Sequence, residues 1–346
     1  MKKLKLKRKL WLDRHSRQKK SPGMKKRYLA SQHPDENIYQ RPKAKARAAY
    51  KLQKQRFDHL IAPSNFSIYS NPEGTLSFFA QIEEKIRYGS PVYFDMQNIE
   101  ILTIDAIMYF LAMLKKIKVL KIIYGFRGSM PKNRSCEVLL RASGFLDYVT
   151  SHISPDLTRD SSIIQINTGQ YAETDIVERL CVFAMSKLGV NRQDTKRLYE
   201  MIIELMTNTK QHAYNDTKIK FATTEWYVFA KHDIESNSVR FIFLDTGEGI
   251  PSTVKKTFME GLPVIGKSET SYIQSALEGE LLRTRTGQAY RGKGLPKIYS
   301  FHKEGLIKDL TIISNYGYFG SKRSNDINQK LNGTLFYWEL FKGTAQ

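Results

Sequence analysis

Cysteine is scarce in this chain: 346 residues contain two, Cys136 and Cys181. Two thiols are too few for a disulfide scaffold and form no metal-ligand cluster, so a reducing cytoplasm is the expected setting. No stretch approaches the ~20 consecutive apolar residues of a membrane helix, so no membrane span is expected. The first ten residues, Met1-Lys-Lys-Leu-Lys-Leu-Lys-Arg-Lys-Leu10, are basic and lead into no apolar core, so no secretory signal is expected there.

Acidic residues are also in short supply: 34 Asp and Glu face 55 Lys and Arg, for a net charge of +21. The imbalance is local. Residues 1–57 hold 20 Lys/Arg against 3 Asp/Glu, and the remainder is nearly balanced at 35 against 31. The basicity therefore belongs to an arm, residues 1–60, partly disordered or helical, with Ala-rich Lys43–Phe57 as its helical candidate. Such an arm can contact a nucleic-acid backbone, dock on an acidic protein surface, or simply be a solvated tail. Its aromatics are few (Trp11, Tyr28, Tyr39, Tyr50), which argues against a base-stacking platform.

Beyond the arm, strand and helix patterns alternate. Residues 61–160 read as a small α/β layer: strands at Phe66–Tyr69, Val92–Asp95 and Val119–Tyr124, helices at Leu76–Tyr88, Ile104–Ile117 and Ser135–Ala142. Residues 161–346 open with strand Ile163–Ile166 and a helix from Glu173 to Leu188. A long helix follows from Arg192 to His212, with Leu198, Ile202, Leu205 and Met206 at helical spacing. Later come strands at Ile219–Lys231, Val239–Leu244, Leu310–Ile313 and Thr334–Leu340, and a helix at Leu295–His302. The connection from Pro251 to Arg291 has room for two short helices.

Glu204, Asn208 and His212 stand four apart, on one face of the long helix. A carboxylate there can hold a water as general base, and an amide oxygen can ligate a hard cation such as Mg²⁺. A partly solvated polar stripe is the alternative reading. Downstream, Phe241-Ile-Phe-Leu244 runs into Asp245-Thr-Gly-Glu-Gly-Ile-Pro251. Then come Arg291-Gly-Lys-Gly-Leu-Pro296 and Asn332-Gly-Thr334. Singly, these are tight turns and basic loops.

In this order and spacing the pieces resemble the GHKL ATPases, the superfamily of gyrase, heat-shock chaperones, mismatch-repair proteins and histidine kinases. Glu204 and Asn208 match its N-box, Asp245–Gly249 its first glycine box, and Gly292-Lys-Gly294 its second. The run Glu204–Tyr214 is most similar to the N-box of anti-sigma-factor kinases. The resemblance implies a two-layer α/β sandwich, a mixed sheet with helices on one face, binding ATP and Mg²⁺. It implies that Asp245 accepts a hydrogen bond from the adenine amine and that Gly247 and Gly249 let the backbone approach the nucleotide. Gly292, Lys293, Gly294 and Leu295 would meet phosphate, and Thr334 would support adenine. Asn208 would be the metal ligand, Glu204 the catalytic carboxylate, and His212 a supporting cofactor-binding residue. Arg283, Arg285 and Arg291 would lie in or beside an ATP lid.

The segment Val92–Leu111, with Ser143-Gly-Phe145, resembles a STAS domain. Where phosphorylated members carry serine, this chain has Asp105. That carboxylate is either a helix cap or a fixed mimic of the charged state. Three functions follow from the resemblances: an ATP hydrolase whose lid closure switches a protein partner or a homodimer, an anti-sigma-type serine/threonine kinase, and a non-catalytic ATP sensor with a nucleic-acid-binding arm. No dimerising two-helix segment with a phosphoacceptor histidine precedes the N-box, which disfavours a two-component histidine kinase.

Overall fold

A computed structural model of the chain describes residues 57–88, 90–119, 126–149, 160–212, 224–259, 268–279 and 294–342. The basic arm, all but the first residue of the expected strand Val119–Tyr124, and residues 260–267 and 280–293 between the glycine boxes lie outside these; Val119 itself ends a helix. Residues 57–346 form one compact unit with a mixed α/β fold.

The chain first builds a parallel three-stranded sheet in the order β1-β3-β5, from β1 (Asp58–Ile61), β3 (Val92–Asp95) and β5 (Phe126–Gly128). A second pair, β2 (Asn65–Phe66) and β4 (Ile101–Leu102), lies beside it. Helix α1 (Pro72–Arg87) begins at Asn71, whose side chain accepts from the Gly74 N–H, with Pro72 at the position where a missing N–H costs nothing. Helix α2 (Ile104–Val119) is apolar on nearly every side, and Ala106–Met113 are all buried. Helices α3 (Arg134–Ala142) and α4 (Phe145–Val149) close this layer.

Asp105 in the first turn of α2 is buried, and its carboxylate accepts from the backbone N–H groups of Ile68 (2.6 Å) and Tyr69 (2.9 Å). Desolvation pushes its pKa above the ordinary carboxylate range, against the hydrogen bonds from Thr103, Tyr69 and Ile68 that lower it. The group ties the loop before α1 to the start of α2.

The second sheet has the order β6-β7-β8-β10-β9, from β6 (Ile163–Gly169), β7 (Trp226–Asp233), β8 (Ser238–Asp245), β9 (Ile307–Gly320) and β10 (Ser324–Phe341). Helices α5 (Thr174–Leu188), α6 (Arg192–His212), α7 (Ile250–Met259), α8 (Glu269–Glu278) and α9 (Gly294–Lys303) accompany it.

The expected mixed sheet with helices on one face is corrected on both points. Every pairing in this sheet is antiparallel. Short reversals join β7 to β8 and β9 to β10, and a tight reversal can only produce an antiparallel pair. Both faces are covered, because alternate residues on each strand are apolar on both sides. Trp226, Val228, Phe241, Phe243, Phe336 and Trp338 pack with α5, α6 and α9. Tyr227, Phe229, Ile242, Leu244, Ile313 and Leu335 face the other way, in one apolar cluster with α1 and α2. Leaving six such side chains in water would cost on the order of 10 kcal/mol, so the first layer and the sheet share a core.

Candidate functional site

Helix α6 buries Leu198, Met201, Ile202, Leu205 and Met206 and leaves Glu204 and Asn208 partly exposed, as the spacing predicts. His212 is its last residue; its side chain lies outside the described ones. The helix is zipped antiparallel to α9. Arg197 meets Glu304 at 3.4 Å, Glu200 meets Lys297 at 3.0 Å, and Glu204 lies against Gly294. A Cβ at Gly294 would overlap the Glu204 carboxylate, so only glycine fits while that side chain holds its place. A carboxylate at the first residue of α9 is also favoured by the helix dipole.

Asp245 ends β8 in the middle of the sheet. Its register partners are Trp226 on β7 and Thr334 on β10. Its Oδ1 accepts from the Gly247 N–H at 2.7 Å, and the Thr334 hydroxyl also bonds to the carboxylate. Desolvation outweighs both bonds and pushes the Asp245 pKa up to about 6. Gly249 has φ +88 and Gly333 φ +119, conformations that disfavour a side chain. Gly333 runs directly against the Asp245 carbonyl, where a Cβ would clash with backbone.

The two halves of the site meet through apolar contacts. Ile250, which follows the glycine loop, and Leu295, which follows Gly294, pack in one small cluster with Val254, Tyr272 and Ala276. Glu204 thus lies at Gly294, Asp245 lies with Gly247 and Thr334, and the residues that follow the two groups, Leu295 and Ile250, pack against the same small cluster. Asn208 is one helical turn beyond Glu204. Gly292, Lys293, Arg283, Arg285 and Arg291 lie outside the described residues.

Two residues that hold the glycine loop have no place in the sequence reading. Ser314 Oγ donates to the Gly333 carbonyl (3.0 Å), accepts from the Ile250 N–H (2.9 Å) and bonds the Thr334 hydroxyl (3.0 Å). Asn315 is buried and left-handed at φ +51. Its Oδ1 accepts from the Ser252 N–H (3.3 Å) and hydroxyl (2.9 Å), and its Nδ2 donates to the Glu248 carbonyl (3.0 Å). Gly249 packs directly on that amide. Asn315→Ala should lower stability by about 1–3 kcal/mol through the lost hydrogen bonds. Asn315→Gly should recover about 1 kcal/mol of that, because glycine tolerates the left-handed backbone. Urea melts of the two variants check this; a glycine variant no better than alanine would contradict it.

The expectation that the chain holds no Walker-type Gly-Lys-Ser/Thr run is corrected: Gly261-Leu-Pro-Val-Ile-Gly-Lys-Ser268 has the spacing of a phosphate-binding P-loop. Its setting is wrong for that role. The preceding described element is helix α7, where a P-loop follows a strand. The amides it would offer at the start of α8 are engaged: Asp326 accepts from the Glu269 N–H (3.0 Å) and the Thr270 N–H (2.8 Å). Ser268 caps the same helix. Among the described residues no helix is long and apolar enough to cross a membrane.

No family model and no curated protein matches the chain. Among solved structures it is similar to the histidine kinase domain of the blue-light activated histidine kinase from Erythrobacter litoralis EL346. The identity is 11% and the TM-score 0.24, over 85% of this chain and 90% of that one. A likeness of that size carries no weight for fold or function, which rest on the residues themselves.

Proposed function

We propose that residues 161–346 form a GHKL-type ATP-binding module that hydrolyses ATP with Mg²⁺, and that residues 61–160 are a STAS-like layer joined to it. The observation that supports this reading is the pairing of Asp245 with Thr334 and Gly247 at one end of the sheet, with Glu204 lying at Gly294 on the start of α9.

The donor set fits the nucleotide. Asp245 is a partly exposed carboxylate at a sheet end, an acceptor for the adenine amine and a poor match for the guanine carbonyl. The free N–H groups that open a helix suit phosphate oxygens, and α9 opens at Gly294. Asn208 would hold Mg²⁺ through its amide oxygen. The bound magnesium nucleotide supplies a phosphoryl group for transfer to water, and Glu204 would take the proton from that water. Lys293, Arg283, Arg285 and Arg291 are the cations assigned to the lid. Lid closure would switch a protein partner or a homodimer, and in the alternative sensor reading residues 1–57 would contact nucleic acid. The N-box run Glu204–Tyr214 and the STAS-like layer favour one second reading, a serine/threonine kinase of the anti-sigma type.

The test is calorimetry of Mg²⁺-ATP binding and a phosphate-release assay on the full chain, beside Asp245→Ala. Wild type should bind, and the variant should bind at least about 30-fold more weakly, the effect of a lost charge-assisted hydrogen bond. Equal binding by Asp245→Ala would overturn the site. Phosphate release without added protein supports the hydrolase, transfer only to an added protein the kinase, and binding without either the sensor.

A further inference from the structure

Building on the nucleotide reading above, we infer that Tyr109 and Lys115 of α2 are positioning residues for the Asp245 site, so that the N-terminal layer sets its shape and affinity. Asp245 has two register neighbours, Trp226 and Thr334. The residues that lead into both are held by α2.

On one side Lys115 Nζ pairs with Glu225 Oε2 at 2.6 Å, and Glu225 immediately precedes Trp226. The Tyr227 hydroxyl donates to the same carboxylate oxygen at 2.6 Å and fixes its direction. The Glu225 backbone is tied to the glycine box in turn. Its N–H donates to Thr246 Oγ1 at 2.9 Å, and its carbonyl accepts from the Thr246 N–H at 3.0 Å. Thr246 is the residue next to Asp245.

On the other side the Asn332 N–H donates to the Tyr109 hydroxyl at 3.2 Å. Asn332 precedes Gly333, the residue pressed on the Asp245 carbonyl, and then Thr334. Tyr109 is buried, and desolvation raises its pKa well above the ordinary tyrosine range, so the hydroxyl stays neutral. Tyr109 and Lys115 lie about 9 Å apart along the helix axis, enough to reach both strands. Between them α2 shares one apolar cluster with Leu244 and Leu335, so the helix and the strands move as a packed body. A shift of α2 therefore reaches both walls of the site.

The experiment uses the full chain with Tyr109→Phe, Lys115→Met and Lys115→Arg, and Lys116→Met as control. Lys116 is more exposed and, among the described residues, pairs with Glu83 at 3.9 Å. The first readout is amide hydrogen exchange over residues 245–250 and 332–335 in nucleotide-free protein, and the second is Mg²⁺-ATP affinity. Tyr109→Phe and Lys115→Met should exchange faster there and bind about three- to tenfold more weakly, the scale of one hydrogen bond or ion pair. Lys115→Arg should restore both readouts. Lys115→Met combined with Glu225→Gln should be no worse than Lys115→Met alone, because the two act as one unit. Wild-type exchange in both variants, or an equal change in the Lys116 control, would overturn the inference. Failure of wild type to bind ATP would overturn the nucleotide reading instead, and the exchange comparison would still decide the coupling.

Discussion

Asp245→Asn should make the nucleotide-free protein more stable at neutral pH while weakening ATP binding. The carboxylate sits at a sheet end where burial raises its pKa to about 6, against an ordinary value of 3.8. A raised carboxylate pKa means the folded state holds the proton more tightly than the unfolded chain. The contribution of this one group costs nothing below about pH 4, becomes unfavourable as pH rises towards about 6, and carries its full cost above that. Part of the side chain stays accessible, so the cost is about 2 kcal/mol.

Asparagine removes that charge and can be satisfied in place. Its oxygen accepts from the Gly247 N–H, as Asp245 Oδ1 does at 2.7 Å. Its amide can donate to Thr334 Oγ1, whose own hydrogen then turns to Ser314 Oγ, 3.0 Å away. The variant should melt about 5 °C above wild type near pH 7.5 and lose that advantage near pH 4. ATP binding should fall about 100-fold, since the same position no longer offers a carboxylate to the adenine amine. Thermal melts across pH, with calorimetry at neutral pH, check both halves. A variant that is less stable at neutral pH would show that the buried charge is not the dominant cost.

Glu204→Gln should bind Mg²⁺-ATP within about threefold of wild type and turn it over about 100- to 1000-fold more slowly, the usual contribution of a positioned general base. Glutamine keeps the volume that packs against Gly294, so the zipper of α6 on α9 stays in register. Glu204→Ala removes the same base but also empties the space beside Gly294, and its partly exposed position limits the stability loss to about 1 kcal/mol. Single-turnover measurements separate binding from chemistry. Wild-type turnover by the glutamine variant would remove Glu204 from the chemistry.

Local patterns in the sequence were enough for several elements. Helix α6 runs from Arg192 to His212, as its apolar spacing predicts, because Leu198, Ile202, Leu205 and Met206 need one shared face and nothing breaks it. Strand β8 and the start of α9 fall within one residue of expectation, since an apolar run ending in Asp-Thr-Gly and a glycine before an apolar helix are both short-range signals. The length of β9 and β10 was not visible. Their pairing continues through register shifts near Leu331 and Thr334, and a bulge hides the period of two.

The parts of the site held by distant residues depended on the tertiary structure. Asp245, Gly247, Gly249 and Thr334 carry their chemistry in the sequence, because residue type and spacing state what each can accept, donate or tolerate. Ser314 and Asn315 are ordinary polar residues in a strand. They gain meaning only because Gly249, Glu248 and Ser252 fold onto them from more than sixty residues away. The contact of Glu204 with Gly294 and the grip of α2 on both neighbours of Asp245 have the same origin. Residue identity decided which groups could bind or react. Packing decided which of them stand together, because burying both faces of one sheet draws the first layer and the helices to opposite sides of the same strands.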